Sequence, residues 1–200
     1  LTSSPQNITV INNTIISSDS YAIYAPHSQG YLNITGNDYI DNNQDGIYIL
    51  NATDTTSGII IENENLTDVT LTQLYLNNVT EINITNVTLS RHGLYTNASN
   101  VTIINLTFTN TNGTIYVPST IINDTEEFNS SQRVFIENNL IGIYAELSPT
   151  AFNTSAELTF YGLSYSQTPY LLKDGVRCDN TSACNISYDV TNNVLYANVS

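Results

Sequence analysis

The stretch INITNVTLSRHGLYT (82–96) decides how this chain reads. Apolar and polar residues alternate over 82–85, an asparagine interrupts at 86, and alternation resumes over 87–90. A glycine follows, and the segment closes on Leu94-Tyr95. Period-two alternation marks a half-buried strand, and the interruptions are too short to hold a helix. Working outward, the same course runs through NITVINNTIISSDSYAIY (7–24), LNITGNDYIDNNQDGIYI (32–49) and VTIINLTFTNTNGTIYV (101–117). GIIIENENLTDVTLTQLYLNNVT (58–80) keeps the strand-corner-strand rhythm less regularly. Units of roughly 19–27 residues with short strands and no 3.6-residue pattern predict a parallel β-solenoid.

Two columns follow from stacking such units. Tyr24, Tyr48, Tyr95 and Tyr116 fall at corresponding points. Asn13, Asn37, Asn63, Asn86 and Asn105 fall at corners, where asparagine tolerates the left-handed backbone conformation and stacked amides can hydrogen-bond from coil to coil. Near residue 118 the character changes. VPSTIINDTEEFNSSQ (117–132) reads as a loop or cap. RVFIENNLIGIYAEL (133–147), AELTFYGLSY (156–165), TPYLLKDGVRC (168–178), CNISYDV (184–190) and VLYANVS (194–200) then read as antiparallel strands separated by turns such as Lys173-Asp174-Gly175. The expectation is an all-β chain: a parallel β-helix with its cap over 1–129 and an antiparallel β-sandwich over 130–200.

Asn-x-Ser/Thr recurs along the whole length, at Asn7, Asn12, Asn33, Asn51, Asn65, Asn78, Asn83, Asn86, Asn97, Asn100, Asn105, Asn112, Asn123, Asn129, Asn153, Asn180, Asn185 and Asn198. Random placement at this composition gives roughly 7 such N-glycan acceptors. An acceptor is used only in a glycosylating compartment and only at the surface, so the excess points outside the cell. On a strand, residues i and i+2 share a face. In 7–10 Asn7 and Thr9 therefore point outward while Ile8 and Val10 enter the core, and the triplets at Asn33, Asn83 and Asn100 repeat this. Asn12, Asn86 and Asn105 share the corner position, where a laddered amide is expected to carry no sugar; the other fifteen are the expected sites.

Four basic residues against eighteen acidic ones, for a net charge of -14, make nucleic acid a poor partner, because phosphate contacts need Lys and Arg. An anionic membrane surface is disfavoured for the same reason. No apolar run approaches the roughly 18 residues of a membrane span. The first residue is not Met, which reads as a processed or cut chain. The cysteines, Cys178 and Cys184, form a close pair expected to bond to each other in an exported chain. No second Cys/His pair accompanies them for zinc.

With those residues quoted, the first part resembles the right-handed parallel β-helix of the pectin-lyase-like superfamily, in the NosD-like repeat style. The segments from 156 onward resemble the small sandwich that follows such helices in archaeal surface proteins. The resemblance implies an exported archaeal cell-surface glycoprotein and specifies a fold rather than an activity.

Relatives of that fold cleave polysaccharides, so the acids are candidate catalysts. Hydrolysis needs two carboxylates roughly 5–9.5 Å apart; Asp38, Asp41 and Asp45, with Asp19 or Asp68, are the candidates. Lyase chemistry needs a base, and Arg91 beside His92 is the candidate within the helix. The alternative is a solvated corner and an exposed turn, and no acid cluster recurs on adjacent units. Asp41-x-Asn43-x-Asp45-Gly46 matches the start of a calcium loop, but its twelfth position is Ala52 rather than Glu, so a polar turn competes with a calcium site. Tyr21, Tyr24, Tyr31, Tyr39 and Tyr48 offer either a sugar-stacking platform or a stacked structural row. The expected function is a non-enzymatic structural glycoprotein of a surface layer or filament, without a cofactor, partnered by copies of itself end to end through residues 1–6 and the sandwich edge. A glycan-binding adhesin and a polysaccharide-degrading enzyme are the competing classes.

Overall fold

A computed structural model describes residues 7–16, 19–26, 30–40, 42, 45–52, 58–90, 93–122, 127–144, 152, 154–178 and 184–200. It is all-β, with a solenoid of about three turns. The first coil carries β1 (Ile8–Ile11), β2 (Thr14–Ile16) and β3 (Ile23–Pro26); the second carries β4 (Leu32–Thr35), β5 (Asp38–Ile40) and β6 (Ile47–Leu50). Next come β7 (Ile59–Glu62) and the long β8 (Leu74–Ser90) and β9 (Leu94–Asn110), which run through corners without a break. Each coil pairs in parallel with the next. Ile8, Leu32, Ile59, Ile82 and Val101 fall in one column, so successive repeats are 24, 27, 23 and 19 residues long. Part of the last shortening is a register shift at Asn77/Val79, where β8 holds one more residue than β9.

Alternation explains the core. Inward columns of Ile, Leu and Val stack along the axis: Leu32, Ile59, Ile82 and Val101 are buried, as are Ile34, Ile61, Ile84 and Ile103 and, on the adjoining face, Ile47, Leu74 and Leu94. Their outward neighbours are mostly Asn, Thr, Tyr and Glu, with Ile60 and Ile104 as apolar exceptions. A one-residue slip would turn every isoleucine to water, so this patterning fixes the register.

The last coil is closed over. β10 (Gly113–Ile122) turns back antiparallel on β9, and β11 (Phe128–Asn129) pairs with β9 at Thr96. A single turn, α1 (Ser130–Arg133), is capped by Asn129, whose Oδ1 accepts from Ser131 N–H; the Ser130 hydroxyl in turn accepts from Leu94 N–H at 2.9 Å. The hairpin β12 (Val134–Glu137) and β13 (Leu140–Ile143) follows, with Val134 and Ile136 buried and Phe152 stacked on Phe128.

Then come β14 (Ala156–Phe160), β15 (Leu172–Lys173), β16 (Val176–Arg177), β17 (Cys184–Asp189) and β18 (Val194–Val199). Asp174 and Gly175 both take positive φ, giving β15–β16 the two-residue turn that the sequence announces. The strand pairing does not confirm the expected sandwich. β14 pairs with β10, β18 with β14 and β17 with β18, all antiparallel, so these strands extend the solenoid's own sheet. That sheet has twelve strands: nine run in the order β1-β4-β7-β8-β9-β10-β14-β18-β17, with β6 and then β3 branching from β8 and β11 branching from β9. Its path begins on β1 and ends on β17. Among the described residues no helix is long and apolar enough to cross a membrane.

Candidate functional site: side-chain columns on the coils

Stacking turns each sequence column into a physical one. The corner after the first inward face is held by Asn12, Gly36, Asn63, Asn86 and Asn105, all at positive φ. Asn86 Nδ2 donates to Asn63 Oδ1 at 2.9 Å, Asn105 Nδ2 donates to Asn86 Oδ1 at 2.7 Å, and the Tyr116 hydroxyl closes the row on Asn105 Oδ1 at 2.5 Å. The corner expectation therefore holds for Asn63, Asn86 and Asn105 and is corrected by one residue for Asn13 and Asn37, which follow the corner and turn inward. At position 36 the corner is a glycine at positive φ, which carries no amide and so interrupts the ladder. A second ladder joins Asn78 Nδ2 to Asn51 Oδ1 at 2.8 Å, both at positive φ.

The acceptor triplets divide accordingly. Asn7, Asn12, Asn51, Asn65, Asn78, Asn83, Asn86, Asn100, Asn185 and Asn198 are exposed; Asn33, Asn97, Asn105, Asn112 and Asn129 are half-buried; Asn123, Asn153 and Asn180 lie outside the described residues. Among the described residues the hydroxyl two residues on donates to the asparagine's own Oδ1 from Thr35 to Asn33, Thr67 to Asn65 and Ser131 to Asn129. The nitrogens of Asn78, Asn86 and Asn105 are engaged in ladders. Asn185 and Asn198 sit directly opposite each other and line an open groove of about 280 Å³ with Pro118 and Glu157.

On the adjoining outer face Tyr24, Tyr48, Tyr75 and Tyr95 form one column. Tyr48 and Tyr75 stack at 4.1 Å with planes 2° apart, and Tyr75 and Tyr95 at 4.4 Å and 8°; Tyr21 tucks between Tyr24 and Tyr48 at 4.7 and 4.5 Å. Tyr75 thus joins a row in which Tyr116 has no place, because Tyr116 lies on antiparallel β10 opposite Thr107. Tyr39 is buried in the core and Tyr31 lies on another face, next to β4. Partial burial, then the hydroxyl and charge of Tyr75, push the Tyr48 phenol up; burial and then Glu127 do so for Tyr95. Strand spacing of about 4.8 Å sets rings in face contact, which leaves mainly rims outward. A sugar stacks on a ring face, and only the end ring, Tyr24, at 51% exposure, is open enough to offer one.

The inward column behind the corner is Asn13, Asn37, Glu64, Val87 and Leu106. Asn13 N–H and Nδ2 donate to Asn37 Oδ1 at 3.0 and 3.1 Å; Asn37 N–H and Nδ2 donate to Glu64 Oε1 at 3.2 and 3.0 Å. Glu64 is 1% exposed. Its Oε2 and the Tyr39 hydroxyl are buried and, among the described residues, engaged by no other group, and the phenol O–H is the donor available to the ionised carboxyl. Burial raises the Glu64 carboxyl above the usual range and outweighs the donors from Tyr39 and Asn37 that favour its ionised form. Burial also raises Tyr39, with Glu64 adding to it. The sequence reading passed over Glu64, although its place in the inward phase was the available signal.

The remaining candidates do not converge on one place. Asp19, Asp38 and Asp68 are exposed, and Asp45 Oδ1 accepts from Thr72 N–H at 3.0 Å, tying one coil to the next. Asp41, Asn43, Arg91 and His92 lie outside the described residues, among which no cluster of three or more His, Cys, Asp or Glu is placed to hold a metal ion. Cys178 and Cys184 are bonded, with Cα atoms 5.4 Å apart, stapling the end of the β15–β16 hairpin to the start of β17. The bond is compatible with a secreted protein.

Fold and columns together define a β-solenoid protein with an antiparallel extension of its sheet. Comparison with family models, curated proteins and solved structures finds no match to this chain.

Proposed function

We propose that this chain is an extracellular, heavily N-glycosylated structural protein that assembles through its ends into a surface layer or filament. The resemblance stated above adds a right-handed winding and an archaeal cell surface as its setting. The observation that carries the reading is the sheet itself, whose hydrogen-bonded path ends on two strands, β1 and β17, at opposite extremes. An edge strand is a template for another strand, and backbone pairing supplies affinity without charged side chains. This chain has few charges to offer. Acceptor triplets sit on strand faces, where a sugar excludes a partner, and leave the backbone edges of the end strands to pair. Sugars are expected on outward strand positions such as Asn7, Asn83, Asn185 and Asn198, and not where the amide nitrogen already donates, at Asn78, Asn86 and Asn105.

The glycan-binding adhesin is the second reading, and it rests on the open face of Tyr24. Deleting residues 1–16, which removes β1 and β2, separates the two. Loss of polymers in negative-stain images supports end assembly. A native particle that is strictly monomeric, with saturable glycan binding, supports the adhesin; depolymerisation of a polysaccharide by the intact protein would move the reading to an enzyme.

A further inference from the structure

The β15–β16 hairpin stands apart from the twelve-stranded sheet and is held on a fixed frame. Its two strands form a sheet of their own, with Asp174-Gly175 turning between them. The Cys178–Cys184 bond ties its end to the start of β17, Lys173 Nζ donates to the Ser200 carbonyl oxygen, and Leu171 packs on the core. Leu172 lies opposite Arg177, so the two share a face. The Arg177 guanidinium sits 5.3 Å from the centre of the Tyr170 ring, which brings Tyr170 to that face as well. The face is turned to solvent: Tyr170 is 61% exposed and Leu172 53%, with Val176 beside the turn at 69%. Tyrosine and arginine are the residues that most often anchor protein contacts, and a rigid frame leaves little ordering entropy to lose on docking.

The sequence sets the hairpin apart too. Lys173 and Arg177 are two of the chain's four basic residues, and Asp174 is the hairpin's one acid. No acceptor triplet falls between Asn153 and Asn180, the longest such interval in the chain. Residues 1–90 are the reverse in charge, with nine acids and no Lys or Arg. Asp19 and Asp38 are exposed on the first two coils, and Asp19 lies in another acceptor-free interval, between Asn12 and Asn33.

We propose that Tyr170, Leu172 and Arg177 dock on the acidic first coils of a second copy of this chain. The contact rests on the reading of assembly through the ends and adds a side-chain component that gives the joint its direction. Because the hairpin is stapled to β17, a copy whose β1 approaches that strand brings its first coil alongside. Opposite charges steer that encounter, whereas two acidic N-terminal ends repel each other. Tyr170 and Leu172 supply the apolar burial that charge alone does not.

Sedimentation velocity over a range of salt concentrations tests it. Self-association is expected to weaken as salt rises. Arg177→Glu, or Tyr170→Ala with Leu172→Ser, is expected to weaken it about tenfold or more at low salt. Asp19→Asn with Asp38→Asn weakens it from the other side. Asp174→Asn removes the hairpin's acid, keeps a residue that tolerates positive φ, and is expected to strengthen it. All six positions are exposed, so the variants are expected to keep the natural circular dichroism spectrum. Hairpin variants that assemble like the natural chain overturn the docking face and leave end assembly standing. A natural chain that stays monomeric at every salt concentration overturns both. Saturable glycan binding that Tyr170→Ala abolishes, with assembly unchanged, also overturns the docking and assigns the face to a sugar.

Discussion

Asparagine at a solenoid corner does two jobs, and substitutions separate them. It accepts positive φ at low cost, where most residues lose about 1–2 kcal/mol, and its amide links neighbouring coils. Asn86 sits mid-ladder, donating to Asn63 and accepting from Asn105. Asn86→Gly keeps the backbone and removes the links; Asn86→Ala removes both. Being exposed, each link contributes at the lower end of about 0.5–1.5 kcal/mol. Urea unfolding is therefore expected to show Asn86→Gly losing about 1 kcal/mol and Asn86→Ala about 1–2 kcal/mol more. Equal losses would mean that the ladder alone matters. The sequence reveals such corners where a single asparagine interrupts alternation, as at 63, 86 and 105. It misplaces them at Asn12-Asn13 and Gly36-Asn37, because either residue of each pair tolerates the left-handed region and only the inward phase of the next strand decides which one turns.

At the scale of elements, parallel rungs were legible and the antiparallel ones only half so. Alternation and repeat length place β1 through β9 because each coil pairs with the next one along the chain. From 130 onward the strands and the turn at Asp174-Gly175 are legible as well, but their partners are not. Residues paired between β10 and β14 lie 41 to 47 positions apart, and no local pattern encodes the pairing. One glycine marks the junction. A Cβ on Gly113 would lie 2.1 Å from the Thr159 carbonyl oxygen and 2.6 Å from the Ile141 side chain, so β10 admits β14 and β13 only with glycine there. Backbone cannot give way as a flexible side chain does, and overpacking costs about 1–3 kcal/mol or more. Gly113→Ala is expected to lower exchange protection in β14, β17 and β18 while the rungs of β4, β7 and β8 keep theirs. Uniform loss over the whole chain would show solenoid and extension to be one cooperative unit.

For the whole molecule, the two ends of the solenoid differ, and this sets the geometry of any polymer. The last coil is covered by β10, β11 and the β12–β13 hairpin, with Phe128 fully buried. Among the described residues the first coil is not covered to that extent: Ile16 is 60% exposed, and Ile8, Val10 and Ile15 are only half-buried. Coil cannot stack on coil head to tail against such a cap. A joint that propagates along the main path of the sheet brings β1 of one copy to β17 of the next, through a heterologous contact. A joint of β1 with β1 is isologous and closes at the dimer. Lysine on an edge strand blocks pairing, and Ile11 and Ser187 are exposed places to put it. Ile11→Lys and Ser187→Lys are each expected to stop growth. Mixed together, they complement: one variant retains a usable β17 and the other a usable β1, so light scattering should register dimers and nothing longer. If Ser187→Lys leaves assembly unchanged and the mixture yields no hetero-dimer, the contact is β1 with β1, and the particle is a closed dimer rather than a filament subunit.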